Sequence, residues 1–310
     1  MLKIKQMEKR IVVAIPCYNE ELTIGKVVVD FKKALPAARV LVVDNNSKDQ
    51  TARIAQEAGA KVISEKRQGK GFAVQKIFDE FDGDVLVLVD GDDTYPADSV
   101  KRLLKPVIDE EVEMVVGSRI HKKNIKNFSR SHWLGNKFLT RSLNFLFRTK
   151  LNDMESGFRA MDRKFVESSA LLAGGFGIEP EITIQAIEKG MRIKEIQIDI
   201  RPRERGSDSK LNAARDGTIV LYTIISLFRD YKPLQFFTSV AFVFFLFAIS
   251  LGWYSVRDYV VTGVVYHIPA LFVSGFFAMA SFISFIAGLI LSSIKRRHDE
   301  LLIILGRKRK

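Results

Sequence analysis

The chain has 310 residues, with 48 Lys and Arg against 36 Asp and Glu for a formal charge of +12, and 47% of it is hydrophobic. That length supports one large domain or two modest ones with a real core, and the apolar share excludes an intrinsically disordered chain. A single cysteine, Cys17, excludes an internal disulfide framework and a Cys-rich zinc site, and His121, His132, His267 and His298 lack metal-ligand spacing.

From the N-terminus, short apolar runs alternate with amphipathic stretches. Strands are expected at residues 11–15, 40–43, 61–63, 85–89 and 114–116, and helices at about 21–35, 49–58, 69–81 and 98–109. This alternation predicts an α/β fold with a mainly parallel sheet and helices on both faces. Ligands of such sheets bind beyond the carboxyl ends of the strands. Two polar clusters fall there: Asp44-Asn45-Asn46-Ser47 after the second strand and Asp90-Gly91-Asp92-Asp93 after the fourth. Between them, Gln68-Gly69-Lys70-Gly71 is a glycine-rich turn before a helix, whose backbone N–H groups can meet an anion. It does not complete a P-loop, and no GxGxxG follows the first strand, which argues against a dinucleotide site.

After Gly117 the pattern changes. Residues 122–137 are polar and basic, 138–147 form an apolar helical run, 179–189 read as a helix and 193–200 as a late strand. Arg119 and Arg130 lie in the basic stretch. Residues 201–210 bring Arg201, Arg203, Arg205 and Lys210 together beside a glycine and serines. They form either solvated surface or a loop that closes on an anionic lipid headgroup. Over 211–228 apolar residues recur at helical spacing, as in a helix lying in a membrane interface or an ordinary core helix.

Residues 234–256 contain no charge, and neither do 268–294. At about 1.5 Å per residue, each can cross a hydrocarbon layer about 30 Å thick, the second with some tilt. Eleven of the 23 Phe lie in these stretches, which suits lipid-facing helices better than buried ones of a soluble core. Residues 295–310 carry a net charge of +5, whereas 257–267 carry only Arg257 and Asp258 besides His267. The positive-inside rule then places both termini and the N-terminal head in the cytoplasm. The remaining positive charge suits anionic headgroups, and a membrane tether disfavours nucleic acid as the partner. The expected organisation is a catalytic domain over 1–210, a juxtamembrane helix over 211–232, two spans within 233–294 and a basic cytoplasmic tail over 295–310.

Asp90 and Asp92, one residue apart with Gly91 permitting a tight turn, can share a hard divalent cation. Mg2+ or Mn2+ fits such oxygen ligands and zinc does not. A nucleotide sugar with a metal-bridged diphosphate fits these features best.

Seven motifs, in order, carry a resemblance: Ile15-Pro-Cys-Tyr-Asn-Glu-Glu21, Val43-Asp-Asn-Asn-Ser-Lys-Asp-Gln-Thr51, Gly69-Lys-Gly71, Val89-Asp-Gly-Asp-Asp93, Gly117-Ser-Arg119, Ser156-Gly-Phe-Arg159 and Gly206-Ser-Asp-Ser-Lys-Leu211. The chain resembles a family 2 glycosyltransferase of the polyprenyl-phosphate branch, similar to dolichol-phosphate mannose synthase, in the subgroup with two C-terminal spans. The resemblance implies a GT-A fold in which Pro16, Tyr18, Glu20 and Asp44 hold the nucleoside and Asp90 and Asp92 hold the metal. Lys70 and Gly91 join the nucleotide-sugar set. Arg119, Arg130 and Arg203, with Lys210, are matched to the lipid phosphate, and Asp153 to an acidic residue near the reacting centre. The expected catalytic group is thus Asp92, Asp153, Arg119, Arg130 and Arg203. Where the family often has Asp-Asp-Gly-Ser this chain has Asp44-Asn45-Asn46-Ser47, which favours a UDP-sugar over GDP-mannose, and Asp93 adds a third carboxylate.

The expected reaction is inverting sugar transfer to undecaprenyl or dolichyl phosphate, by a homo-oligomeric membrane enzyme. Two other readings fit the residues less well. A processive polysaccharide synthase lacks support, since there is no QxxRW and two helices enclose no pore. A non-catalytic basic membrane module would not need acidic strand ends.

Overall fold

The computed structural model describes residues 9–120, 124, 130–175, 177–202 and 213–308, with backbone alone at 130–132, 213–216, 299 and 302–308. By their internal contacts the residues divide into two compact units, Met1–Ile224 and Ile225–Lys310.

The first unit is built on seven strands: β1 (Ile11–Cys17), β2 (Arg39–Asp44), β3 (Lys61–Ser64), β4 (Val85–Leu88), β5 (Met114–Ser118), β6 (Arg159–Asp162) and β7 (Ile193–Gln197). Their order across the sheet is β3-β2-β1-β4-β6-β5-β7. β6 runs antiparallel to both of its neighbours, with Val87 opposite Ala160 and Met114 opposite Met161, and the other pairs are parallel. The helices are α1 (Ile24–Ala34), α2 (Thr51–Glu57), α3 (Lys70–Asp79), α4 (Val100–Ile108), α5 (Arg130–Phe147), α6 (Arg163–Ser168), α7 (Ile178–Glu188) and α8 (Ala213–Tyr231).

Side chains alternate across a strand, so each central strand feeds two cores. Val13, Ile15, Val42 and Val87 face Ile24, Val28 and Phe31 of α1 and Val100, Leu103 and Leu104 of α4. Val12, Ala14, Leu41 and Leu86 face Val74 and Ile77 of α3, Phe165 of α6 and Ile178 and Ile182 of α7. Burial on both faces is why these strands read as unbroken apolar runs. The early expectations for β1 to β5 fall within a few residues of the observed strands. β6 and α6 have no counterpart among them: Arg-Ala-Met-Asp offers two apolar side chains in four, too little to register as a strand. α5 begins at Arg130 rather than 138, because its buried stripe of Asn136, Leu139, Thr140 and Leu143 is half polar. In α8, Val220 and Ile224 are buried while Tyr222 is exposed.

In the second unit, α9 (Pro233–Thr262) is closed by Gly263 in the left-handed region at φ +73°, and α10 (Ile268–Lys308) returns beside it. Ser281 Oγ donates to the Ala241 carbonyl at 2.7 Å, and Phe247 stacks on Phe277 with centroids 5.4 Å apart. The outward side chains are apolar and exposed, Phe272 at 76% and Phe276 at 71% among them. Within Pro233–Thr262 and Ile268–His298, 18-residue stretches reach mean hydropathies of 2.2 and 2.1, and both segments are long enough to cross a membrane. Such a surface suits anchoring in lipid rather than exposure to water. The limit between the two units, after Ile224, lies inside α8, and α10 runs on through residue 295 as one helix.

Candidate functional site

The carboxyl ends of β1, β2 and β4 lie side by side, because these strands are parallel neighbours with Cys17 registered opposite Asp44. Their exit loops are cross-linked by side chains. Ser47 Oγ accepts from the Asn19 amide at 3.0 Å, Asn19 Oδ1 accepts from the Lys48 amide at 2.8 Å, and Thr51 Oγ1 accepts from the Glu20 amide at 2.8 Å. Asn19, Asn46 and Asp93 adopt left-handed backbone, which short polar side chains tolerate. Pro16 lies opposite Val43, one residue before the β1 pairing ends at Cys17, and Tyr18 follows on the exit loop. Asp44 is 8% exposed, and its Oδ1 is buried with no hydrogen-bond partner among the described residues. A carboxylate oxygen in that state calls for a donor.

Asn45 does what an aspartate there could not. Its amide group donates to the carbonyls of Arg67 (2.6 Å) and Glu65 (3.3 Å), while its oxygen accepts from the Gly69 amide at 2.7 Å. The departure from the family motif therefore ties β2 to the glycine turn before α3. That turn is pinned from its other side too. A Cβ on Gly69 or Gly71 would overlap the carbonyl oxygens of Gly174 and Ala173. The 172–173 backbone is in turn held by buried Glu181, which accepts from the amides of Leu172 and Ala173 at 2.8–3.0 Å.

Lys70, so placed, reaches two carboxylates at once: Asp90 Oδ1 and Glu179 Oε1, each 2.6 Å from its ammonium. Burial pulls the Lys70 pKa down, and the two carboxylates overcome this and raise it. Gly91 passes so near Cys17 that a Cβ would sit 2.6 Å from Sγ, and its carbonyl accepts from Thr23 Oγ1 at 2.7 Å. Asp92 is 6% exposed and accepts from the Thr94 amide at 3.1 Å. Asp93 turns to other cations, paired with Lys26 and with Arg201 at 2.8 Å. Asp90 and Asp92 remain as hard oxygen donors at the strand end. Among the described residues no cluster of three or more His, Cys, Asp or Glu could hold a metal. Two carboxylates completed by substrate phosphates and water are nevertheless a set that Mg2+ or Mn2+ accepts, and the ammonium against Asp90 marks a place where positive charge is stabilised.

A second cluster forms where β5 ends. Asp153 has no exposed surface. Its Oδ2 accepts from Arg119 Nε (2.8 Å) and the Arg119 amide (2.9 Å), and its Oδ1 from Arg119 Nη2 (2.8 Å) and Asn136 Nδ2 (2.9 Å). Burial pushes the Asp153 carboxyl up, but Arg119 and Asn136 hold it below its ordinary value. The following loop is equally fixed: Ser156 Oγ donates to the Gly117 carbonyl at 2.6 Å and the Gly157 amide donates to Tyr95 Oη at 3.1 Å. Fully buried Arg159 donates to the carbonyls of Met154 and Ser156 and to Thr183 Oγ1. Gly157 abuts Asp90, since a Cβ on it would lie 2.5 Å from Oδ2, and so the two clusters adjoin. On this fixed loop Glu155 has its carboxyl pushed up to about 7, by burial first and then by Asp153 and Glu179, against the pull of Arg119.

Of the residues expected from sequence, Pro16, Tyr18, Glu20, Asp44, Lys70, Asp90, Gly91 and Asp92 gather on the strand ends, and Arg119 and Asp153 form the adjoining pair. Arg130 opens α5, where its backbone alone is described, and Arg203 and Lys210 lie outside the described residues. Sequence reading missed Glu179, Glu155, Asn136 and Tyr95. Glu155 directly precedes the Ser156-Gly-Phe-Arg159 motif, but nothing in spacing pointed to the other three.

Residues 12–169 match glycosyl transferase family 2. Glycosyltransferase AglJ of Haloferax volcanii is 31% identical over 256 residues, covering 82% of this chain and 84% of that protein. The dolichyl-phosphate hexose transferase of the same organism is 30% identical over 210 residues, covering 68% and 90%. Among solved structures, the glucosyl-3-phosphoglycerate synthase of Mycobacterium tuberculosis in complex with Mn2+, UDP and its glucosylated product aligns with a TM-score of 0.60 at 24% identity, over 71% of this chain and 80% of that one. That likeness is one of fold.

Proposed function

The chain belongs to glycosyl transferase family 2, and from that premise we propose that it transfers a hexose from a UDP-sugar, in preference to GDP-mannose, to the phosphate of a membrane-borne polyprenyl lipid. Glycosyl transfer from a nucleotide sugar is the activity of its class. The observation that carries the donor side is the array at adjoining strand ends: Asp44 with an unsatisfied buried oxygen, Lys70, and the acid pair Asp90 and Asp92. The lipid acceptor is supported by the apolar helices α9 and α10 and by the name of the dolichyl-phosphate relative.

In this reading Pro16, Tyr18, Glu20 and Asp44 bind the nucleoside. Asp90 and Asp92 would hold a divalent cation, which offsets charge building on the departing diphosphate; the Mn2+ and UDP of the fold neighbour support that choice. A polyprenyl phosphate has a second pKa of about 6 and is mostly dianionic at neutral pH. Its oxygen attacks the anomeric carbon as the bond to the nucleoside diphosphate breaks on the opposite face, which inverts the configuration. Such a nucleophile needs positioning and partial neutralisation more than a base. Arg119 supplies both through its guanidinium, whose Nε–Nη2 edge Asp153 holds in place, with Arg130, Arg203 and Lys210 as further phosphate ligands. Asp153 has all of its described lone-pair directions filled, so it is a positioning residue that fixes Arg119. Residues 1–210 form the catalytic domain, facing the cytoplasm with both termini. The exposed faces of α9 and α10 meet lipid and, in a homo-oligomer, copies of the same chain.

Purified full-length protein, offered UDP-glucose, UDP-N-acetylglucosamine and GDP-mannose with Mn2+ and undecaprenyl or dolichyl phosphate, should yield one lipid-linked monosaccharide by mass spectrometry. Transfer to a soluble phosphate such as 3-phosphoglycerate, with none to either lipid, overturns the acceptor assignment.

A further inference from the structure

We propose that Lys70 is a tethered counter-cation, which occupies the acidic strand end in the free protein and gives it up to a divalent ion when the donor diphosphate draws the ammonium away. This deepens the donor-site reading above and rests on it. Lys70 bridges Asp90, at the end of β4, and Glu179, in the first turn of α7, at 2.6 Å from each. All three groups are largely withdrawn from water, with side-chain exposures of 19% for Lys70, 25% for Asp90 and 6% for Glu179.

Two carboxylates converging in such a place repel unless a cation lies between them, and the ammonium meets that need. A divalent ion that takes Asp90 must therefore displace the ammonium from it, leaving Lys70 with Glu179 alone and two cations close together, so metal binding to the free protein is penalised. A diphosphate changes the balance by offering Lys70 a new anionic partner while contributing oxygen ligands to the metal. Donor and metal then favour each other by the same factor, as linkage requires.

The geometry makes the Lys70 side chain the moving part. Its backbone cannot slide, because Gly69 and Gly71 are wedged against the carbonyls of residues 173 and 174 and the Gly69 amide is bonded to Asn45. Glu179 is equally fixed, in a helix whose residues 178–186 are all buried. The flexible four-carbon arm of lysine is what can swing between carboxylate and phosphate.

Mn2+ binding to the full-length protein, followed by the electron paramagnetic resonance of free Mn2+ with no donor, with UDP and with GDP, tests this. In the wild type, one of the two nucleotides should tighten Mn2+ at least about tenfold, roughly 1.4 kcal/mol of coupling. Lys70→Met should bind Mn2+ at least about tenfold tighter than wild type without nucleotide, and the nucleotide effect should shrink. Lys70→Arg, which keeps the charge, should restore the wild-type pattern, and is the measure to use if Lys70→Met fails to fold. Lys70→Met that melts like wild type yet binds Mn2+ no better without nucleotide overturns the counter-cation while leaving the donor site standing. An Arg variant that behaves unlike the wild type overturns it as well. Wild-type protein that takes up no Mn2+ with either nucleotide overturns the donor-site reading and this inference together.

Discussion

Asp153 and Glu155 are two residues apart and have opposite electrostatic fates, because among the described residues one is met by donors and the other is not. Asp153 is fully buried with four donors on its two oxygens. Asp153→Asn leaves the Arg119 charge uncompensated, so it should cost about 3 kcal/mol of stability. It should slow transfer rather than abolish it, since this carboxylate moves no proton; thermal melting beside initial rates checks both. Asp92→Ala, by contrast, should eliminate Mn2+-dependent transfer at saturating donor, and full activity in the presence of EDTA would refute the metal role. Glu155 keeps its proton to about pH 7 in the folded protein, against an ordinary value of 4.5. The folded state then binds more protons than the unfolded one between those two values, so stability falls as pH rises through that window, and the deficit persists above it. Glu155→Gln should match wild type near pH 4.5 and exceed it at pH 8 by about 1–2 kcal/mol after solvent screening. Equal melting differences at both pH values would show that the carboxyl is not perturbed.

Among the elements, the turn into α3 is where the fold commits the site. Its position depends on the 172–174 backbone, which Glu181 of α7 holds from within the core. Gly71→Ala would drive a methyl group into the Ala173 carbonyl, and both backbones are fixed. That variant should lose about 2–3 kcal/mol, as overpacking does, and lose donor affinity with it, which melting and nucleotide titration would measure together. β6 makes the other commitment. As an antiparallel strand inserted between β4 and β5, it carries Ser156, Gly157 and Arg159 to the point where the Asp90 and Arg119 clusters meet.

At the scale of the whole chain, α9 and α10 set where the protein works. Their exposed phenylalanines and the strongly apolar 18-residue stretches within them predict that the full-length protein sediments with membranes after an alkaline carbonate wash and is released by detergent. Release by carbonate alone would show that the helices do not insert. The sequence alone determined the five parallel strands from residue 11 to 118, the acidic strand ends and the two apolar helices. These depend on local periodicity and on runs of uncharged residues, which need no partner to be read. Tertiary structure decided the rest: that Lys70 meets Glu179 as well as Asp90, that Asp153 serves Arg119, that Asn45 braces the glycine turn, and that Asp93 is bound to Lys26 and Arg201. Each is a pairing between residues far apart in the chain. Whether a carboxylate is a ligand, a clasp or a proton holder depends on which donors the packed helices bring to it, and spacing along the chain carries no record of that.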